Sequence, residues 1–330
     1  MKLLDQFSRK INYLRMSVTD RCDLRCVYCM KEKMNFLPKK EILTLEEIER
    51  LCDNFIELGV KKIRLTGGEP LVRKNIIELV HNLGRKINQT NLNEVTLTTN
   101  GTLLSSYAKQ LKKCGINRIN VSLDTLCSKK YNQITRFGNL DKVLQGIDEA
   151  KKNDIKIKIN TVAIKDFNEN EFVTLIKWSN KEKIDLTFIE VMPMETTDVE
   201  RHLQFLSLQN VFKKLDKHFK FNKIEKNTGG PAVYYRSNKL QNNIGFITPL
   251  TNNFCATCNR VRISSTGKLF MCLGQNEYVD FRHILRNDFS NETIKEKIIE
   301  ALTVKPKSHD FVIKKDNKPY LNRFMNETGG

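Results

Sequence analysis

The chain has 330 residues, enough to bury one large core or two smaller ones. Its formal charge of +18, from 56 Lys and Arg against 38 Asp and Glu, admits RNA, a membrane surface or a polyanionic small molecule as partner. Lysine pairs such as Lys39-Lys40, Lys112-Lys113 and Lys151-Lys152 are scattered like solvated helix faces, which argues against a dense nucleic-acid stripe. No run reaches the roughly 18 apolar residues of a membrane span, and nine cysteines without a secretory signal predict a reducing, cytoplasmic setting where thiols bind metals.

From about residue 11 to 192, short β-rich runs alternate with helical patterns, which predicts βα units and a parallel sheet. The strands are expected at INYLRMSV, KKIRLT, NEVTLTT, NRINVSL, IKIKINTV and DLTFIEV. Thr44 and Glu47 form a capping box for a helix that Gly59 ends, and further helices fit 75–88, 103–113, 140–153 and 169–179. Six such units predict an α/β fold, a partial and open (βα)6 TIM-like barrel, since a closed barrel needs about eight. An amphipathic helix follows over 205–219. After about residue 220 the rhythm changes to short strands (GGPAVYYR, NIGFIT, RVRISSTGKLFMC) and helices near 280–286 and 290–302. The expected division is a barrel over 1–220 and a C-terminal α+β extension over 221–330, packed against the barrel's open side.

Between the first strand and first helix lies CDLRCVYC, with Cys22, Cys26 and Cys29 in C-x3-C-x2-C spacing. An iron–sulfur cubane is normally held by four thiolates, so three leave one iron for another ligand. Positions i, i+4 and i+7 also share a helix face, but Asp20, Arg21, Asp23 and Arg25 suit an exposed loop. A structural zinc site would need a fourth ligand, and none follows nearby. A second set, Cys255, Cys258 and Cys272, again supplies three ligands, with His283 a conceivable fourth for zinc. Cys52, Cys114 and Cys127 remain, in positions that ordinary burial explains.

In barrels of this kind the βα loops converge at the C-terminal strand ends, so polar residues there are the ones to read. The second strand ends in Gly67-Gly68-Glu69-Pro70, a turn whose glycines let a ligand approach the backbone. Thr98, Ser122-Leu123-Asp124 and Glu190-Val191-Met192 close later strands, where hydroxyls cap helices as readily as they bind ligands. Lys156, Lys158 and Asn160 alternate with Ile155, Ile157 and Ile159, so Lys156 and Lys158 are expected to point into the barrel, where an anionic ligand would offset their burial. Arg260 and Arg262 flank Val261 and share a strand face beside the second cysteine set; Arg15, Lys62 and Arg64 add charge from the first two strands. Arginine pairs of this kind suit phosphates or a purine edge.

The first triad, with Tyr28 before its last cysteine, resembles the signature of the radical S-adenosylmethionine enzymes. With GGEP and FCATCNRVR added, the chain resembles the GTP 3′,8-cyclase family of molybdenum cofactor biosynthesis nearly end to end. That resemblance implies two [4Fe–4S] clusters. Cys22, Cys26 and Cys29 would hold the one that reduces S-adenosylmethionine, and Cys255, Cys258 and Cys272 the one whose open iron meets guanine. It implies Tyr28, Gly68, Ser122 and Met192 as cosubstrate contacts, and Arg15, Arg64, Thr98, Lys158, Arg260 and Arg262 as GTP contacts. Arg260 and Arg262, with a Gly329-Gly330 tail that enters the active site, would serve catalysis. The implied reaction is abstraction of the GTP 3′ hydrogen by a 5′-deoxyadenosyl radical, attack of the ribose radical on C8, and reduction. A homodimer, a reducing electron donor and a downstream cyclic pyranopterin monophosphate synthase are the partners it implies. One departure stands out: Thr187 lies where family members often carry arginine, so a phosphate contact is either missing or supplied elsewhere, with Lys183 and Lys62 as the candidates. A peptide- or RNA-modifying radical enzyme and a zinc-binding adaptor are the competing readings, and iron and sulfide content separates the last from the enzymes.

Overall fold

The computed structural model describes residues 3–195, 197, 199–287, 289–311, 321 and 323–329. Six parallel strands form the frame: β1 (Tyr13–Ser17), β2 (Lys62–Thr66), β3 (Glu94–Thr99), β4 (Arg118–Ser122), β5 (Lys156–Ala163) and β6 (Asp185–Glu190). Every residue of β1 and β2 is buried, as befits strands covered on both faces. Their alternate apolar residues, Leu14, Met16, Ile63 and Leu65, face the helices and belong to one continuous core.

The helices that cover this outer face are α1 (Leu45–Glu57), α2 (Ile76–Arg85), α3 (Leu104–Lys113), α4 (Ser128–Thr135), α5 (Leu140–Lys152) and α6 (Phe172–Lys181). The expected capping box is present, with Thr44 Oγ1 accepting from Glu47 N at 3.1 Å and Glu47 Oε2 from Thr44 N at 2.7 Å. Helix α4 is not among the helices expected from the sequence. Its C-terminal carbonyls, Ile134 O and Thr135 O, accept from Val27 N (2.9 Å) and Arg25 N (3.0 Å), so it braces the first cysteine loop. The short α7 (Arg201–Gln204) and α8 (Leu208–Phe219) complete the barrel part.

The extension supplies β7 (Asn222–Ile224), β8 (Val233–Arg236), β9 (Ile244–Ile247), β10 (Arg260–Ile263), β11 (Lys268–Phe270) and β12 (Val279–Asp280), then α9 (Phe281–Arg286), α10 (Asn291–Thr303) and α11 (Met325–Thr328). It lengthens the sheet at both edges, β1 and β6, the two strands that border the open side against which it was expected to pack. β9 pairs parallel with β6, and β10 pairs parallel with β1, giving the order β12-β11-β10-β1-β2-β3-β4-β5-β6-β9-β8-β7. Edge strands with unpaired backbone groups invite pairing, and this chain satisfies both edges from its own C-terminal part. The sheet stays open, and the connection from β9 to β10 crosses from one edge to the other, carrying Cys255 and Cys258. Aromatic contacts fix the β9 edge, with Phe246 at 5.8 Å from Phe188 and 5.4 Å from Phe212 between ring centroids.

Candidate active site

Register decides which side chains meet inside the sheet. Arg260, Tyr13, Lys62 and Glu94 are Cα partners across β10, β1, β2 and β3; Arg262, Arg15, Arg64 and Thr96 form the next row. Because side chains alternate along a strand, both rows point to the interior together. The rows border a cavity of roughly 1090 Å³, counting its open mouth, lined among others by Arg15, Arg64, Lys158, Arg260 and Arg262. Cys255, Cys258, Cys272 and Met192 line the same cavity. Thr98 reaches it through Arg64, whose Nη1 donates to its hydroxyl at 3.0 Å.

Lys62 lines a second hollow beneath, where its Nζ lies 2.8 Å from Glu94 and donates to Thr228 O at 2.8 Å. Lys158, 6% exposed, donates to the Tyr234 hydroxyl at 2.7 Å, and burial drives its pKa well down. Buried Asn120 Oδ1, Asn160 Oδ1 and Arg260 Nε have no hydrogen-bond partner among the described residues, and all three residues line the cavity. Unpaired buried polar atoms are costly, and a polar ligand would satisfy them.

The first triad occupies the loop after β1. Cys29 N and Met30 N donate to Cys26 O at 2.8 and 3.2 Å, wrapping the loop, while Leu24 N points at Cys22 Sγ (3.4 Å). Asn100 Nδ2 lies 3.7 Å from the same sulfur. Burial pushes the Cys22 and Cys26 thiols well up, and Cys29 adds to the rise at both, as Cys22 does at Cys26. Such a set fits a bound cationic cluster, which would hold the thiolates where burial alone disfavours them. Gly68 packs on this loop: its N–H donates to Thr19 O at 2.8 Å, and a Cβ there would lie 2.1 Å from Arg21 O. Glu69, 0% exposed, accepts from Asn100 N (2.7 Å), Leu71 N (3.0 Å) and the Thr99 hydroxyl (2.8 Å). Burial nonetheless raises its carboxyl to about 7. The Tyr28 hydroxyl donates to Asp124 Oδ2 at 2.8 Å, and Ser122 is half-buried at the end of β4 beside Asn160.

The cysteines of the second triad are in no disulfide and are half-buried or buried. Gly274 N points at Cys272 Sγ (3.4 Å). Burial pushes the Cys258 thiol up, but Lys305, Arg260 and Arg9 outweigh it and bring it below its ordinary value. Lys305, 1% exposed, donates to Arg260 O and Met271 O, and Arg9 Nη1 donates to Cys255 O at 2.7 Å. This donor set fits a second cluster. Among the described residues no group of three His, Cys, Asp or Glu side chains is set to hold a single metal ion. Thiolates that each take a different iron need no such grouping. His283 is exposed on α9 and bonds Asn287, so it is no fourth ligand.

Gly329 O accepts from Arg262 Nη1 at 2.6 Å, and Asn326 Nδ2 donates to Asp20 O at 2.8 Å, which brings the tail between the cation rows and the first loop. Gly330 lies outside the described residues. Lys183 is exposed at φ 56° and does not line the cavity, so of the two expected substitutes for an arginine at Thr187 only Lys62 is near. Cys127 is exposed before α4, not buried as its position suggested, whereas Cys52 and Cys114 are buried. Sequence reasoning missed Tyr13, Arg118 and Tyr234, which line the cavity or bond its lysine. Only the strand register reveals them.

Residues 16–179 match the profile described as the Radical SAM superfamily, and residues 184–311 match Molybdenum Cofactor Synthesis C. The crystal structure of Streptococcus suis SuiB bound to S-adenosylmethionine shares the fold, with a TM-score of 0.60 at 17% identity over 88% of this chain and 68% of that one. Fold, cysteine loop and profile together make this a radical SAM protein. A GTP 3′,8-cyclase of Mesorhizobium japonicum is 52% identical over 100% of both chains, and one of Brucella ovis is 52% identical over 99% of this chain and 96% of its own. The chain belongs to the GTP 3′,8-cyclase family.

Proposed function

We propose that this chain converts GTP to (8S)-3′,8-cyclo-7,8-dihydroguanosine 5′-triphosphate, the first step of molybdenum cofactor biosynthesis, with the residue roles that follow. The observation that carries the site assignment is the pair of inward-facing rows, Arg260-Tyr13-Lys62 and Arg262-Arg15-Arg64, in a cavity whose wall holds the second triad. Buried cations of this number call for a polyanionic partner where water is excluded. Arg15, Arg64, Thr98, Lys158, Arg260 and Arg262 bind the nucleotide, with Lys62 and Arg118 in support. Cys22, Cys26 and Cys29 hold one [4Fe–4S] cluster, beside which Tyr28, Gly68, Ser122 and Met192 form the S-adenosylmethionine site. Cys255, Cys258 and Cys272 hold the other.

The first cluster with S-adenosylmethionine supplies the 5′-deoxyadenosyl radical. The chain's own residues hold the ribose against it, exclude water and match the triphosphate charge. Arg260, Arg262, Gly329 and Gly330 order the reacting end. Residues 1–220 act as the radical barrel, and 221–330 bring the second cluster and the tail. A reducing electron donor, a second copy in a homodimer and a downstream cyclic pyranopterin monophosphate synthase are the partners of this reading, in the cytoplasm. No helix among the described residues is long and apolar enough to cross a membrane. Calorimetric titration of anaerobically reconstituted protein with GTP tests the site: the expected result is saturable binding with one GTP per chain, and absence of binding overturns it.

A further inference from the structure

Tyr13 sits between Arg260 on β10 and Lys62 on β2, 2% exposed. Its hydroxyl accepts a hydrogen bond from Arg64 Nε at 2.5 Å, and the Arg15 side chain hydrogen-bonds it as well. Lys62 Nζ stands 5.1 Å from its ring centroid, and the guanidinium carbons of Arg64 and Arg260 stand at 5.9 and 5.7 Å. Arg262 on β10 also feels its charge. Glu94 on β3, a carboxylate of this surround, is shared between Lys62 and Arg118, each at 2.8 Å. Asp185 on β6 also acts on Lys158 but is paired with Lys226, so these carboxylates leave most of the buried cations unbalanced, and an anion in their midst would steady them.

We propose that Tyr13 is a substrate-site residue that serves as a resident anion. In the substrate-free cavity its phenolate accepts from Arg15 and Arg64 and keeps the mutually repelling cations in place. When a triphosphate enters, two anions cannot share the same cations, so the phenolate takes one proton from solvent and becomes a neutral phenol. No bond of the substrate changes in that step, and the new O–H can donate to a phosphate oxygen. A neutral nucleoside brings no charge to displace the phenolate, so the same exchange selects for polyanions. The inference rests on the nucleoside-triphosphate reading above. The charge balance supports it: burial pushes the phenol up, but Arg64, Arg15, Lys62 and Arg260 outweigh burial and bring it down to about 7.

The test is near-ultraviolet difference spectroscopy on the reconstituted protein at about pH 8, between that value and the usual tyrosine range near 10. Tyrosinate has its own band there, whereas the lysines that also titrate in this cavity have none. Burial pushes Tyr28, Tyr131, Tyr234 and Tyr235 upward, so they add no tyrosinate. Saturation with GTP, or with inorganic tripolyphosphate, should remove a single tyrosinate equivalent; guanosine should remove none, and Tyr13→Phe should show no loss with any of them. Calorimetric binding of GTP to wild-type protein without loss of tyrosinate overturns the proposal, as does a loss that persists in Tyr13→Phe. Should that variant lack iron and fail to fold, pH titration of the substrate-free wild type decides: a tyrosinate midpoint near neutrality supports the proposal, and titration only in the ordinary tyrosine range overturns it. Loss with tripolyphosphate but no GTP binding upholds Tyr13 and overturns the GTP reading.

Discussion

Arg262 faces two groups at once. It stands beside Arg15 in the second cation row and donates to Gly329 O, so it joins the cavity to the tail. Losing one guanidinium from a dry, charge-matched site costs about 2–5 kcal/mol when the partner charge stays behind. Arg262→Ala should therefore weaken GTP binding by that amount in calorimetry, with iron content unchanged; undiminished affinity would remove it from the site. Gly329 poses a steric question. Its φ is 72°, in the region that disfavours side chains, and a Cβ would lie 2.3 Å from the Thr66 side chain. Gly329→Ala should displace the tail, keep folding and iron content, and lower cyclisation by about a hundredfold, the scale of an ångström's misplacement at a reacting centre. Wild-type turnover in that variant would show that the tail's position is immaterial.

At the scale of elements, strands are legible in the sequence because their apolar and polar residues alternate so regularly. The alternation of Ile155, Ile157 and Ile159 with lysines assigns Lys156 and Lys158 to the interior face; Lys158 is buried there in the fold, whereas Lys156, the first residue of β5, is exposed. Val261 between two arginines does the same for β10, which begins at Arg260. What sequence does not supply is lateral register. Tyr13 reads as an ordinary aromatic at the start of β1, and Arg118 as a helix-to-strand boundary residue, until pairing sets one between Arg260 and Lys62 and the other beside Lys156. Helix α4 escapes because SKKYNQIT is short and polar, with only Tyr131, Ile134 and Thr135 buried. The short strands of the extension are read at NIGFIT and RVRISSTGKLFMC, but the pairing of β9 with β6 and of β10 with β1 escapes, because parallel pairing between distant segments leaves no local signal. The capping box, by contrast, is fully local, and it carries its own prediction. Glu47 also pairs with Arg286 of α9 at 2.7 Å, so the box ties α1 to the extension. Thr44→Ala removes a side-chain cap worth about 1 kcal/mol. A lowered thermal midpoint with GTP affinity intact is the expected outcome; altered affinity would mean that α1 positions the cavity.

In the proposed reading, two kinds of iron chemistry fall to two loops at opposite ends of the neighbouring strands β1 and β10. The first triad lies in the loop that follows β1, braced by α4 and the GGEP turn; the second lies on the crossing from β9 to β10 and just after β11. This separation predicts independent failure. Cys26→Ala should abolish S-adenosylmethionine cleavage, whereas Cys258→Ala should retain uncoupled cleavage and lose cyclisation, both read as 5′-deoxyadenosine and cyclised product by chromatography. Loss of cleavage in both variants would show that the loops depend on each other for folding. The central claim is that the cation rows hold GTP with its ribose in reach of a radical formed at the first loop. Its most direct test is single-turnover reaction of the reconstituted protein with 3′-deuterated GTP, followed by mass spectrometry of the 5′-deoxyadenosine. Deuterium in that product is the expected result; 5′-deoxyadenosine formed without deuterium in the presence of saturating GTP would contradict the account.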